Sequence, residues 1–255
     1  MRRDLPPSPR WLVSQGRTAE AHEVVADAEE TALGVIDGDR LPEPEPVPDE
    51  APAERVPVKV LLRRPMLGRV ALFVTIWFVY YIGNYGWLTL APTLFTDKGY
   101  SLADSTTYLV VSGLGFLIGA YATTHFSDRF ERKYSAALFA VAWAISLFVI
   151  GYFVSPAIII VFGFIASMTI GLLVPMLYTY TAEHFSTNAR ATGVALSDGL
   201  GHIGGALAPL IVLGANSAWG FSSAFLVMAI TGLLTGGLVL FGIRATGRSL
   251  EESTA

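Results

Sequence analysis

The sequence predicts an all-α membrane protein with six transmembrane helices, and three observations predict it. From about Val70 onward the chain is a series of six apolar runs nearly free of charge. Each is roughly 18–26 residues long, enough to cross a hydrocarbon core of about 30 Å. The connections between the runs alternate between cationic and neutral or polar, as the two faces of a membrane require. Small residues recur at every fourth position within two of the runs, which lets helix backbones approach closely in lipid. A content of 53% hydrophobic and 15% charged residues would also suit a large soluble domain. A globular core, however, has no use for six such runs in series.

Residues 1–36 read as a polar, amphipathic helical segment. Ser8-Pro9 marks a helix start, Gly16 a break, and Thr18 an N-cap for a second helix reaching about Leu33. Residues 37–69 form an acidic, proline-rich linker and then a basic juxtamembrane stretch. Its Asp37–Pro57 portion is too polar and extended to pack, and Lys59, Arg63, Arg64 and Arg69 precede the first run. The six-helix domain occupies residues 70–243, with spans expected at Val70–Leu94, Tyr108–Phe126, Tyr134–Val154, Ala157–Ala182, Ala191–Gly214 and Trp219–Ile243. Residues 244–255 are a tail. Of 17 Lys and Arg residues only Lys98 falls on the second face, leaving 16 on the first. That face is therefore expected to be cytoplasmic. Both termini then lie inside, which an even number of spans also requires. The expected location is an integral, multi-pass position in the cell's inner membrane. Gly193, Ser197, Gly201 and Gly205 form one strip on the fifth span, and Gly115 and Gly119 a shorter one on the second.

Composition narrows the function. The absence of cysteine excludes disulfides, and a net charge of -4, with Lys and Arg almost wholly in the first 69 residues and three later loops, carries topology information and is no nucleic-acid footprint. The first thirty residues hold no apolar core of a cleavable signal peptide. Metal-ligand spacing, a nucleophile elbow, a phosphate loop and a dinucleotide fingerprint are all missing, so no enzyme, metal or cofactor is expected.

What chemistry there is lies inside the spans. Asp198 sits about 10 Å into the fifth span, at ~1.5 Å rise per residue, with His202 one turn deeper on the same face. An ionisable pair in hydrocarbon is expensive. It is expected to look onto a wet cavity, to bind solute and to couple proton uptake to movement, or else to form a helix-to-helix hydrogen bond. On the first span Tyr81, Asn84, Tyr85 and Leu88 share a face whose hydroxyl, amide and aromatic groups suit a small polar organic ligand. Trp87 fits either that cavity or an interfacial belt. Tyr178 and Tyr180 on the fourth span are secondary candidates that point in different directions, and Tyr178 joins the substrate-binding set. Pro92, Pro175 and Pro209 are expected to interrupt three spans and free backbone carbonyls. Asp128, Arg129, Arg132, Glu183 and Arg190 interleave opposite charges on neighbouring loops of one face. Such charges can pair when a gate shuts and part when it opens.

Several local patterns resemble the major facilitator superfamily, in particular its sugar-porter and organic-metabolite symporter branches. SDRFERK, Ser127–Lys133, is similar to the D-R-x-G-R-[RK] loop between the second and third helices of a six-helix half, with Glu131 at the glycine position. YTAEHFSTNARATG, Tyr180–Gly193, resembles the E-x-x-P-T-x-x-R-x-x-G stretch between the fourth and fifth, with Ser186 for the proline. LPPSPRWL near the start looks like the P-E-S-P-R-W-L segment that follows the sixth helix, and GRSLEE, Gly247–Glu252, like the tail after the twelfth. The resemblance implies two inverted three-helix repeats forming the C-terminal half of a twelve-helix transporter, with a solute site at the midplane between halves. It further implies a missing N-terminal six-helix half, supplied by another chain or by sequence upstream. The activity it implies is alternating-access movement of a sugar, carboxylate or aromatic metabolite. The competing expectation is a non-transporting scaffold, sensor or partner subunit.

Overall fold

A computed structural model describes residues 6–34, 58–61, 63–64, 66–127, 129–186 and 189–244. The Asp37–Pro57 part of the predicted linker, Asp128, Thr187 and the predicted tail beyond Arg244, with its GRSLEE stretch, lie outside the described residues. The chain divides into two compact units, Met1–Arg55 and Val56–Ala255.

In the first unit a short helix, Pro9–Ser14, starts on a proline and stops at Gly16, whose φ of 74° suits glycine. The next helix runs Thr18–Leu33. Thr18 is its first helical residue and not its cap: Arg17 precedes it and reaches forward to Glu20.

The second unit is all-helical among its described residues. Six helices are long and apolar enough to cross a membrane: Met66–Asp97, Leu102–His125, Arg132–Tyr152, Pro156–Glu183, Arg190–Trp219 and Phe221–Val239. The two largest boundary differences from expectation have local reasons. The second span starts six residues before Tyr108, at Leu102, because Ser101 caps it by accepting Asp104 N–H at 3.0 Å. Thr106 and Thr107 then donate to carbonyls one turn back at 2.8 Å. The fifth span continues through Trp219, and the reversal falls on Gly220 at φ 87°. Residues 215–218, expected as a loop, are therefore helical.

The prolines correct the expectation of interrupted spans. Pro92 follows a π-helical turn, Gly86–Leu90, and Pro209 opens another, Pro209–Leu213. The wider turns keep both spans continuous at residues that cannot donate an i→i−4 bond. Pro175 stays within one unbroken helix. Its orphan acceptor, the Gly171 carbonyl, lies 3.3 Å from Thr123 Oγ1 of the second span, whose single proton is shared with the nearer Gly119 carbonyl at 3.0 Å.

The closest helix pairings are second with fourth, first with fifth, third with sixth, third with fourth and first with sixth. Exchanging first with fourth, second with fifth and third with sixth maps this set onto itself. That is the neighbour pattern of two inverted three-helix repeats. Glycine makes the tightest pairings: a methyl group on Gly119 would overlap the Met168 carbonyl, and one on Gly171 the Phe116 carbonyl. Gly193, Ser197, Gly201 and Gly205 are all buried, Gly201 against Trp77 and Gly205 against the Tyr85 ring.

Candidate functional site

The fifth span lies so close to the first that Asp198 and His202, at the edge of its glycine strip, meet the tyrosines opposite. Tyr81 donates its hydroxyl to Asp198 Oδ1 at 2.5 Å, and Tyr178 of the fourth span donates to the same oxygen at 3.0 Å. The two hydroxyls are 3.4 Å apart. His202 Nδ1 lies 2.9 Å from the Asp198 backbone carbonyl and 3.6 Å from its carboxylate. A carbonyl can only accept, so Nδ1 is the donor, and Nε2 has no partner among the described residues. The imidazole packs over Tyr81 with centroids 4.0 Å apart, and Tyr85 meets it edge-on at 6.3 Å.

The cluster is neither core nor plain surface. Side-chain exposure is 23% for Asp198 and 42% for His202, while Tyr81 is 7% and Tyr85 38% exposed. Its groups open on the outer face of the bundle where the first, fourth and fifth spans meet. Five of the six predicted ligand residues come together there. Asn84 does not join the cluster: it is buried and donates Nδ2 to the Tyr80 hydroxyl at 2.5 Å, in a layer that packs on Trp143. Trp87 is fully buried with Nε1 on Ser167 Oγ, and so is no belt residue. Tyr180 is also buried and donates to the carbonyl of Ile243 at 3.0 Å. Trp77 was missed by sequence reasoning. It backs the cluster, stacked on Tyr81, tilted against Tyr178 and tied by Nε1 to Thr181 Oγ1 at 3.2 Å. Its place one helical turn before Tyr81 was the available signal.

At the end of the bundle where the cations gather, Arg132 Nη1 meets Glu183 Oε1 at 2.6 Å, with side chains only 10% and 14% exposed. This pair joins the start of the third span to the end of the fourth. Arg190 donates Nε to the Ala182 carbonyl at 3.1 Å, and Arg129 is exposed. Glu131, where the resemblance has glycine, adopts φ −60°, so the loop needs no left-handed residue there.

Beside this pair His184 Nδ1 donates to the Tyr180 carbonyl and Nε2 accepts from Ile243 N–H at 3.0 Å, fastening the chain beyond the sixth span. Burial, reinforced by Arg69 and Lys133, pushes the imidazole down from its ordinary 6.5 to about 4. A depressed base is neutral when folded, so the unfolded chain binds the proton more readily. Its contribution is complete above pH 6.5 and is lost as pH falls towards 4, a loss of roughly 3 kcal/mol at most. Unfolding midpoints followed across that window should therefore fall more steeply for wild type than for His184→Phe; parallel curves would contradict it.

Six spans in two inverted repeats, with an acid, an imidazole and three tyrosines on one outward face, define half of a paired-bundle membrane fold. The chain belongs to the Major Facilitator Superfamily, whose sequence model matches residues 18–209 and 78–255. It is 30% identical over 97% of its length to the niacin transporter NiaP of Acinetobacter baylyi, covering 56% of that protein. It is 29% identical over 93% of its length to YyaJ of Bacillus subtilis, provisionally named for metabolite transport, covering 52% of it. A benzoate transport protein of Acinetobacter baylyi is 29% identical over 62% of this chain and 34% of its own. The chain thus spans about half the length of the relatives it matches along nearly its whole extent.

Proposed function

We propose that this chain forms one half of a secondary transporter that moves a small organic solute by alternating access, coupled to protons through Asp198 and His202. The carrying observation is the convergence of two tyrosine hydroxyls on one carboxylate oxygen beside a partly exposed imidazole. The names of the relatives favour a carboxylate or aromatic metabolite over a sugar. The partner is a second six-helix half, seated against the face that carries Asp198.

In this reading the proton exchanges at His202 Nε2, because Nδ1 is held by the Asp198 carbonyl. Tyr81 and Tyr178 hold the carboxylate in position, and solute rings stack on the aromatic wall of Tyr81 and Tyr85. The end bearing Arg132 and Glu183 is cytoplasmic, and both termini lie on that side of the inner membrane. Asp128, Arg129, Arg132, Glu183 and Arg190 form the inner gate, with the Arg132–Glu183 pair closed in this conformation.

Co-expression with a separate six-helix half, followed by uptake of nicotinate, benzoate and hexoses into sealed vesicles, tests the proposal. Uptake that needs both halves supports it; none with any solute favours a non-transporting scaffold. Where uptake is found, Asp198→Asn is expected to lower proton-driven accumulation by roughly 5- to 150-fold, the usual strength of coupling between two ligands. Solute exchange without a gradient should persist. Equal loss of both activities would mean Asp198 serves solute binding alone.

A further inference from the structure

The cation-rich end of the bundle holds a second cavity, well apart from the Asp198 face. It measures about 300 Å³ and lies between the start of the first span and the chain just beyond the sixth, with Gly68, Arg69, Leu72, His184 and Phe241 in its wall. Arg69 precedes Tyr81 by twelve residues, or ~18 Å along the helix.

Three features of this cavity point to the same occupant. The first is charge. Among the described residues, Arg69 makes one recorded hydrogen bond, Nη1 to the His184 carbonyl at a long 3.3 Å, and no carboxylate pairs with it. Arg63 and Arg64 are exposed just upstream. His184 cannot supply the anion's ligand, because both its ring nitrogens are already engaged with Tyr180 and Ile243. Arg69 is therefore the wall's cation with donors to spare, and a guanidinium presents five of them in a fork that matches phosphate.

The second feature is the rim. Phe241, in the wall, stands 78% exposed, and Leu67, next to Gly68 in the chain, is exposed as well. A dissolved anion has no use for them, whereas the first carbons of acyl chains do. The third is depth, since the cavity sits where the first span begins and the sixth has just ended. Basic pockets between helices at that level suit anionic lipid headgroups.

We propose that this cavity seats the phosphodiester of an anionic phospholipid, with Arg69 as its principal ligand, Arg63 and Arg64 adding field strength, and Leu67 and Phe241 covering the proximal acyl chains. Its volume is at the lower end of the ~300–1,000 Å³ typical of ligand sites, enough for a headgroup but not for a whole lipid. This inference stands whether or not the Asp198 face carries solute.

Binding of short-chain phosphatidylglycerol to the purified 255-residue chain tests it, with phosphatidylcholine and inorganic phosphate as comparators. Phosphatidylglycerol should bind tightest, and Arg69→Gln should weaken it about fivefold, the scale of removing one cation beside an anionic surface. Gly68→Leu, which adds a side chain in the cavity wall at a position with open space around its Cβ, should weaken it as well. Lys98→Gln, at the other end of the bundle, should leave it unchanged. Unchanged binding in both Arg69→Gln and Gly68→Leu would overturn the site. Inorganic phosphate binding as tightly as the lipid would overturn the lipid as occupant.

Discussion

Arg132→Met is expected to destabilise the bundle by about 3 kcal/mol, the lower end of the cost of leaving one partner of a buried ion pair uncompensated. Its guanidinium lies 2.6 Å from Glu183 Oε1. The Glu183 carboxylate has only 14% of its surface through which water could replace that contact. The penalty arises from a buried carboxylate losing its guanidinium more than from the lost attraction itself. The double variant Arg132→Met with Glu183→Leu should therefore recover much of the loss, since apolar replacement of a buried pair is often neutral. Thermal unfolding in detergent, read by size exclusion, distinguishes the cases. A double variant no more stable than the single would mean that the pair's geometry, and not its charge balance, holds the third and fourth spans together.

Gly119→Val should be comparably damaging for a different reason. The second and fourth spans touch backbone to backbone, and any Cβ at Gly119 overlaps the Met168 carbonyl oxygen. Backbone cannot yield as the end of a side chain can, so the helices must separate. Overpacking alone costs about 1–3 kcal/mol, and separation also draws Thr123, whose proton the Gly119 and Gly171 carbonyls share, away from the Gly171 carbonyl that Pro175 leaves without its helical donor. Gly113 on the same helix has open space around its would-be Cβ. Gly113→Val therefore adds the same side chain without the overlap, and should leave the unfolding midpoint close to wild type. Equal effects at both positions would show that valine's helix propensity matters and the close approach does not.

The fold was legible because hydrocarbon leaves few alternatives. Apolar length gave six spans, and four-residue glycine spacing identified the strips that now pack against Trp77 and Met168. Boundaries were less legible where polar side chains serve the helix itself: Thr106 and Thr107 look like loop residues, yet they satisfy their own backbone. The prolines misled for the same reason, since composition does not reveal a π turn or a threonine donated from another helix. At the site, i,i+4 spacing placed Asp198 beside His202, and their polarity marked the face. It could not separate Asn84 from Tyr81 and Tyr85, because three residues along a helix turn through about 300°. A small rotation decides between cavity and core, and Tyr80, hydrophobic by its surroundings and polar by its hydroxyl, drew Asn84 inward. Glu131 shows the converse: a residue at odds with the motif is accommodated once its φ proves negative.

The claim on which the functional reading depends is that the Asp198 face looks onto water. The chain has no native cysteine, so single-cysteine variants report one position at a time. In membranes of the native host, Tyr85→Cys, Tyr178→Cys and His202→Cys should react with a small, charged, membrane-impermeant thiol reagent. Leu117→Cys and Leu138→Cys, more exposed on the bundle than the site positions but on apolar faces, should not. Silence at all three site positions, or reaction no faster than at the two leucines, would place the acid and imidazole against lipid and contradict the account.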